Sequence, residues 1–500
     1  MPKSPTQSRA QRLRRSLRRS LGAGGGGRAL GVLAAVAVAT AGIVLSTGTQ
    51  AAPIPPNPVT GVTPPPDGTT ATPDASGLSF QQGPLSGHAT LAQSAILVGS
   101  PQQVLVDIDI KATGEGATTR VPVAMTLVLD HSGSMSGQKI EQARRSVLQA
   151  LERMHDDDWF GFVVYDHAAQ TLFPLQPVGP NRMRIRQVVQ SVGAGGGTQI
   201  PQGLEQGFQT LQAAPVGFAR RIVLVSDGID GSGVGPTGIR STVARYGQSG
   251  VTVAALGIGT DYDEAFLTAV ADAGNGAYAF LATGAELEAF LAQEMHAASA
   301  LVAERVAFDL MLPPNTRFVR AHGATADHLP GGVRLQAGNM ASGDQRHVVV
   351  ELESTAVAAG PLGGVGVGLA FNDRQANRMT QLQAGALQIA GVTDSAVAEA
   401  SRNPAAFAAA KAVLIEVAQT EAMDRWRQGD TAGAVAMARS NAAALDGLMQ
   451  YAPASPVLRE QQEAAEGDAE AFEAMPAGSA AGRSYGLGSN AARRARTTGL

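Results

Sequence analysis

The chain of 500 residues contains no cysteine and only four lysines. The absence of cysteine excludes disulfide bonds, thiolate zinc sites, iron–sulfur clusters and cysteine nucleophiles. None of the lysines follows a glycine, so the Gly-Lys-Ser/Thr core of a phosphate-binding Walker loop is absent. The eight histidines show no His-x-x-x-His spacing, which excludes the common helical zinc motif. Several large classes of enzyme and metalloprotein are therefore excluded.

Acidic residues are missing from the first 66 positions, which hold eight basic residues. The remainder carries 30 basic and 42 acidic residues, a net charge of −12. Because an acidic body repels a phosphate backbone, we expect no nucleic-acid partner. The length predicts about three domains, and a hydrophobic content of 44% is sufficient for folded cores.

An apolar run without charges, residues 29–45, follows the basic segment. As a helix it would span about 25 Å, which is marginal for a hydrocarbon core of about 30 Å. A basic start, an apolar stretch and small residues near Ala51 are typical of a signal peptide. Residues 1–52 are therefore predicted to be a signal peptide or an uncleaved membrane anchor. In either case we expect an extracytoplasmic protein that is secreted, periplasmic or at the cell surface, with membrane contact only through an uncleaved segment.

Composition and apolar periodicity divide the rest of the chain. Residues 53–90 begin with a stretch rich in Pro, Thr and Gly and are predicted to be a linker. Short apolar strands alternate with amphipathic helices over residues 120–300, which predicts an α/β domain with a doubly wound, mostly parallel sheet. Strand patterns without helices occupy residues 301–392 and predict a β-sandwich-like domain. The strands of residues 91–119 are expected to complete that sandwich.

The C-terminal part is predicted to be helical. Asn403 and Pro404 form a typical N-cap and first helical position, and residues 403–475 are predicted to be a helical hairpin or bundle. Residues 476–500 are rich in Gly, Ala and Arg and are predicted to be a flexible tail.

Three separate segments place side-chain oxygens at the same edge of the predicted parallel sheet. Asp130, Ser132 and Ser134 follow one apolar strand, Thr198 follows a glycine run, and Asp227 follows another apolar strand. Because ligands bind beyond the carboxyl ends of parallel strands, we expect these five side chains to converge. An oxygen-only set favours a hard cation such as Mg²⁺, with Ca²⁺ or Mn²⁺ as alternatives. A carboxylate from a partner could complete the coordination of such an ion.

These residues resemble the metal-ion-dependent adhesion site of von Willebrand factor type A domains. Further similarity lies in Ser136–Ile140 and Gly257–Glu264, which resemble exported bacterial members and the inter-alpha-trypsin inhibitor heavy chains. The resemblance covers residues 120–300 and implies a Rossmann-like fold, a Mg²⁺ site and a protein partner that supplies an Asp or Glu carboxylate. It also implies that the two serines are direct metal ligands, whereas the threonine and the two aspartates bind directly or through water.

The leading hypothesis is a non-catalytic adhesion or assembly module that depends on Mg²⁺. A Mg²⁺-dependent hydrolase resembling a phosphatase is an alternative, because an apolar strand ends in Asp130 and Gly-Ser follows. That chemistry requires a second acid where the chain has Ser132, and no lysine lies between Lys139 and Lys411 to hold a phosphate. A second alternative is a scaffold that binds its partner without a metal.

Overall fold

A computed structural model describes residues 77–113, 120–282 and 286–497. The predicted signal peptide or membrane anchor, residues 1–52, lies outside the described residues, as does the Pro-rich start of the predicted linker. Within the described ranges, no helix is both long enough and apolar enough to cross a membrane.

Strands occur before, within and after a central α/β region. In chain order they are β1 (Gly77–Gln82), β2 (Leu85–Leu91), β3 (Ala95–Leu97), β4 (Pro101–Ala112), β5 (Val123–Asp130), β6 (Trp159–Tyr165), β7 (Ala169–Pro177), β8 (Ala219–Ser226), β9 (Val251–Ile258), β10 (Asn275–Leu281), β11 (Leu301–Met311), β12 (Thr316–His322), β13 (Thr325–Leu329), β14 (Gly332–Ala341), β15 (Gln345–Thr355), β16 (Gly360–Asp373) and β17 (Arg378–Val392).

Helices cover the central sheet and form the C-terminal region. They are α1 (Gln138–Arg153), α2 (Val178–Gln190), α3 (Ile200–Leu211), α4 (Pro236–Gln248), α5 (Glu264–Ala273), α6 (Glu286–Ser299), α7 (Ser395–Ala400), α8 (Pro404–Arg427), α9 (Thr431–Leu448), α10 (Pro456–Ala474) and α11 (Ala480–Thr497). A single 3₁₀ turn, Gly133–Met135, lies between β5 and α1.

The central sheet has six strands in the order β10-β9-β8-β5-β6-β7. All neighbouring strands are parallel except β6 and β7, which pair antiparallel at one edge. Helices α1, α2 and α6 share a hydrophobic core with one face of the sheet, and α3, α4 and α5 share a core with the other face. Each residue of β5 is buried, because the strand is covered on both faces. This arrangement confirms the predicted doubly wound α/β fold.

The strands that precede and follow the α/β domain in the sequence form a sandwich of two sheets. One sheet has the order β1-β2-β4-β15-β12 and the other β13-β14-β11-β16-β17-β3. Their inner faces form a common hydrophobic core in which Ile108 and Val350 of the first sheet contribute with Phe308 and Phe371 of the second. The α/β domain is therefore an insertion between strands of the sandwich, whose first described strand begins at Gly77.

The prediction that residues 77–90 belong to a linker is wrong. They form β1 and nearly all of β2, and Leu85 is fully buried. The ring of Phe80 packs edge-on against Phe308, with 5.9 Å between the ring centroids. The partner strands lie far away in sequence, so the composition of the segment itself carries little sign of this pairing.

The C-terminal region is a bundle of helices, and the prediction of a flexible tail at 476–500 is wrong over residues 480–497. Helix α8 begins at Pro404, and its N-cap Asn403 accepts a hydrogen bond from the Ala406 amide (3.1 Å). Helix α11 occupies most of the predicted tail. Leu487 of this helix is buried and belongs to a core shared with the α/β domain. Tertiary contacts thus order a segment whose Gly content disfavours a helix.

Candidate metal centre

The loop after β5 is held against the glycine-rich loop before α3 by backbone hydrogen bonds. The Gly133 amide donates to the Gly196 carbonyl (3.1 Å), and the Gly195 amide donates to the His131 carbonyl (2.7 Å). Gly196 has a φ of +86°, and a Cβ at this position would clash with the Asp166 carboxylate. Both the left-handed backbone and the close approach require glycine there. This glycine run therefore fixes the spacing of the two loops.

Asp130 lies at the carboxyl end of β5 and is completely buried. One carboxylate oxygen accepts from the Ser132 amide (2.8 Å), and the other accepts from the Ser226 hydroxyl (2.8 Å). The Tyr165 hydroxyl lies 3.5 Å from that second oxygen. Burial raises the pKa of Asp130, and the hydrogen bonds from Ser132 and Ser226 partly oppose this shift. The buried Asp130 carboxylate thus fixes the loop after β5 and connects it to the end of β8.

The hydroxyl groups and the second carboxylate meet above Asp130. The Ser132 and Ser134 oxygens are 3.0 Å apart, and the Ser134 hydroxyl donates to the Asp227 carboxylate (2.7 Å). Thr198 and Ser134 both lie beside Gly228. A Cβ atom at position 228 would be 3.0 Å from the Thr198 hydroxyl oxygen and 3.5 Å from that of Ser134. The structure therefore brings all five sequence-predicted side chains together at one edge of the sheet.

The charge of the site is partly balanced by a lysine. The Lys139 ammonium contacts the carboxylate of Asp227, which is completely buried. Lys139 belongs to the first turn of α1, and its side chain keeps about a third of its surface exposed. The Lys139 ammonium is thus in contact with one of the predicted metal ligands. An all-oxygen donor set that already attracts a cation is chemically suited to a hard divalent ion.

Sequence reasoning missed three residues of the site. Ser226 and Tyr165 hold Asp130, and Lys139 contacts Asp227. Ser226 and Tyr165 are the last residues of β8 and β6, at the same sheet edge as the predicted ligands, and this position is the signal that could have identified them. Lys139 lies in the stretch Ser136–Ile140, but the sequence does not indicate the direction of its flexible side chain.

Replacement of Lys139 by Met is expected to tighten Mg²⁺ binding by about 5- to 20-fold, because the ion no longer competes with the ammonium for Asp227. Without Mg²⁺, the variant should be less stable than the wild type by about 1–3 kcal/mol, since Asp227 loses a charged partner in a buried position. Isothermal titration with Mg²⁺ and thermal unfolding in EDTA measure both effects.

Lys111→Met, a substitution of an exposed lysine of β4, serves as the control and should leave Mg²⁺ affinity unchanged. Weaker Mg²⁺ binding by Lys139→Met would contradict the competition between the ammonium and the ion for Asp227. The ammonium would then support Mg²⁺ binding.

Residues 125–293 match the family model described as von Willebrand factor type A domain. The chain is 29% identical over 198 residues to the uncharacterised protein sll0103 of Synechocystis sp., which is 39% of this chain and 46% of that protein. It is 31% identical over 166 residues to human inter-alpha-trypsin inhibitor heavy chain H4, which is 31% of this chain and 18% of that protein. The chain thus spans less than half the length of these relatives.

A solved structure extends the similarity beyond the matched domain. The structure described as von Willebrand factor type A from Catenulispora acidiphila superposes with a TM-score of 0.62 at 17% sequence identity. The superposition covers 79% of this chain and 97% of the other. At this identity the likeness is one of fold. Domains of the matched family commonly mediate protein–protein interactions and often bind a divalent metal ion.

Proposed function

We propose that the von Willebrand factor type A domain of this chain binds a protein partner through a divalent cation held by Asp130, Ser132, Ser134, Thr198 and Asp227. The observation that carries the proposal is the contact between Ser134 and Asp227, which joins segments 93 residues apart in an all-oxygen cluster. Mg²⁺ is the proposed ion, because the donors are hard and include only two carboxylates. Ca²⁺ and Mn²⁺ are the other ions that such a set accepts.

The distribution of burial supports a role in recognition. Asp130 and Asp227 are completely buried, whereas Ser134 is exposed and Thr198 is half-buried. Ser132 is also buried, so the side of the cluster that faces solvent is formed by the hydroxyls of Ser134 and Thr198. A divalent ion in such a site supplies Lewis acidity toward an oxygen ligand. An Asp or Glu carboxylate of a partner can approach from the solvent side without meeting the two aspartates.

The hydrolase alternative receives no support from the geometry. The second acid that it requires corresponds to Ser132, whose hydroxyl lies 3.0 Å from that of Ser134. Domains of the matched family are typically non-catalytic adhesion modules. We therefore propose an adhesion or assembly role. From the pattern of residues 1–52 we also propose that the chain is exported and acts outside the cytoplasm.

Affinity capture with the immobilised full chain tests the proposal. An extract of the producing cells is passed over the wild type in Mg²⁺ and again in EDTA. We expect a protein partner to be retained in Mg²⁺. The retained amount should fall at least tenfold in EDTA, because the ion bridges the two proteins. The Ser134→Ala variant should lose the partner in Mg²⁺ to the same extent.

Ser136→Ala is the matched control, since Ser136 is an exposed hydroxyl of the same loop outside the proposed ligand set. It should retain the partner as the wild type does. Equal capture in Mg²⁺ and EDTA would overturn the metal-dependent mechanism and favour the scaffold that needs no metal.

A further inference from the structure

A second group of metal-ligating side chains lies on the sandwich, on a different sheet from the candidate metal centre. We propose that His88, Asp107 and Asp109, here named the strand cluster, bind a transition-metal ion such as Zn²⁺. The imidazole and carboxylate ligands of this cluster are the types that Zn²⁺ takes in proteins, whereas the candidate metal centre has oxygen donors only. The inference does not depend on the proposed function of the α/β domain.

The strand register brings the cluster together. His88 of β2 is paired with Asp109 of β4, and Asp109 is paired on its other side with His347 of β15. Asp107 is two residues from Asp109 and therefore lies on the same face of the sheet. Directly paired residues have Cβ atoms about 4.5–5.5 Å apart. Three adjacent hydrogen-bonded strands thus fix the backbone positions of the side chains.

The ligand atoms are already close to the spacing that a metal requires. One atom each from His88, Asp107 and Asp109 lies within 4.8 Å of the others. His88 Nε2 and an Asp109 carboxylate oxygen are 3.3 Å apart. Bond lengths of about 2.0–2.2 Å in a tetrahedral zinc site place neighbouring ligand atoms roughly 3.3 Å apart. The ligand atoms therefore lie within about 1.5 Å of the spacing of a tetrahedral site.

His347 supports the cluster from the third strand. Its Nε2 atom contacts the carboxylate of Asp107, and this carboxylate is 96% buried. A histidine that orients a ligating carboxylate is a typical outer partner of a metal site. A carboxylate oxygen of Asp107 lies within 4.8 Å of one of Asp109. Two negative groups are thus held close together, where a bound cation is favourable.

The cluster is accessible from solvent on one side. The side chain of His88 is 53% exposed and that of Asp109 is 27% exposed. An ion can therefore enter next to His88, and water can occupy the remaining coordination position. The partial exposure of His88 also means that its substitution removes a ligand without opening a cavity in the sandwich core.

A titration with Co²⁺ tests the proposal, because Co²⁺ replaces Zn²⁺ and gives a visible absorption that reports the ligand set. The full chain is titrated in a large excess of Mg²⁺, which competes for the candidate metal centre. We expect one Co²⁺ per chain, displaced by Zn²⁺, and a rise of at least tenfold in the Co²⁺ dissociation constant for His88→Ala. Asp227→Asn, which removes a ligand of the other site, should bind this Co²⁺ as the wild type does.

His328→Ala is the matched control, since His328 is an exposed histidine of the same sandwich on β13. It should retain the wild-type dissociation constant. Unchanged Co²⁺ binding by His88→Ala, loss of the signal in Asp227→Asn, or no binding below millimolar Co²⁺ would each overturn the proposal. In those cases the strand cluster consists of histidine–carboxylate ion pairs only.

Discussion

Asp227→Asn is expected to raise the Mg²⁺ dissociation constant by at least about 100-fold. The substitution replaces a completely buried carboxylate with a neutral amide of the same shape, and the amide oxygen can still accept from Ser134. At a Mg²⁺ concentration of about 100 times the wild-type dissociation constant, the bound ion adds about 2.7 kcal/mol to the free energy of unfolding. The variant should gain no more than about 0.4 kcal/mol, because this concentration only equals its raised dissociation constant. Thermal unfolding with Mg²⁺ and with EDTA measures the difference.

Asp261→Asn provides the matched control for this measurement. Asp261 is another aspartate of the α/β domain, but its side chain is 71% exposed and it lies outside the proposed ligand set. Its variant should keep the full stabilisation by Mg²⁺. If Asp227→Asn were stabilised by Mg²⁺ as strongly as the wild type, the ion would bind elsewhere and the proposed site would be wrong.

The meeting of the proposed ligands could be predicted because the topology of a parallel sheet determines it. Asp130 and Asp227 end or follow buried strands that are direct neighbours, so their carboxylates reach the same edge. The contact of Lys139 with Asp227 could not be predicted, because it depends on the conformation of one long side chain. The support of Asp130 by Ser226 depends on a side-chain direction that the sequence leaves open.

The strand–helix alternation of the central domain was readable for a related reason. Strands covered on both faces form continuous apolar runs, and all residues of β9, Val251–Ile258, are buried. Composition was misleading at both ends of the described chain. Gly83 and Pro84 suggest a linker, yet Leu85 next to them is completely buried, because β4 pairs with this segment. Pairing between distant segments leaves little trace in local composition.

Arg493→Met is expected to lower the free energy of unfolding by about 3–5 kcal/mol, which is the usual cost of breaking a buried ion pair. Arg493 lies in α11, within the segment that composition predicts to be flexible. Its guanidinium is 2.9 Å from the Asp468 carboxylate and 3.3 Å from that of Glu416. The three side chains are each at least 96% buried. Chemical denaturation followed by circular dichroism measures the loss.

Methionine keeps the length of the arginine stem, so the loss reports the charge rather than a cavity. Asp468 would still accept hydrogen bonds from Tyr485 (2.7 Å) and Ser489 (2.8 Å), but no cation would remain between it and Glu416. These two donors also belong to α11, which means that the network joins this helix to α8 and α10 as a unit. The effect should therefore appear as lost amide protection along α11 in hydrogen exchange as well as in global stability.

Arg483→Met separates this explanation from a general effect of removing positive charge from the helix. Arg483 is on the same helix, but its side chain is 45% exposed and its guanidinium Nη2 lies 3.7 Å from the exposed Asp261 carboxylate. Its replacement should change stability by no more than about 0.5 kcal/mol. If both variants had the same small effect, α11 would not be docked on the bundle, and the composition of the segment would outweigh its tertiary contacts. A large loss for Arg493→Met alone requires that buried charge pairing holds this helix in place.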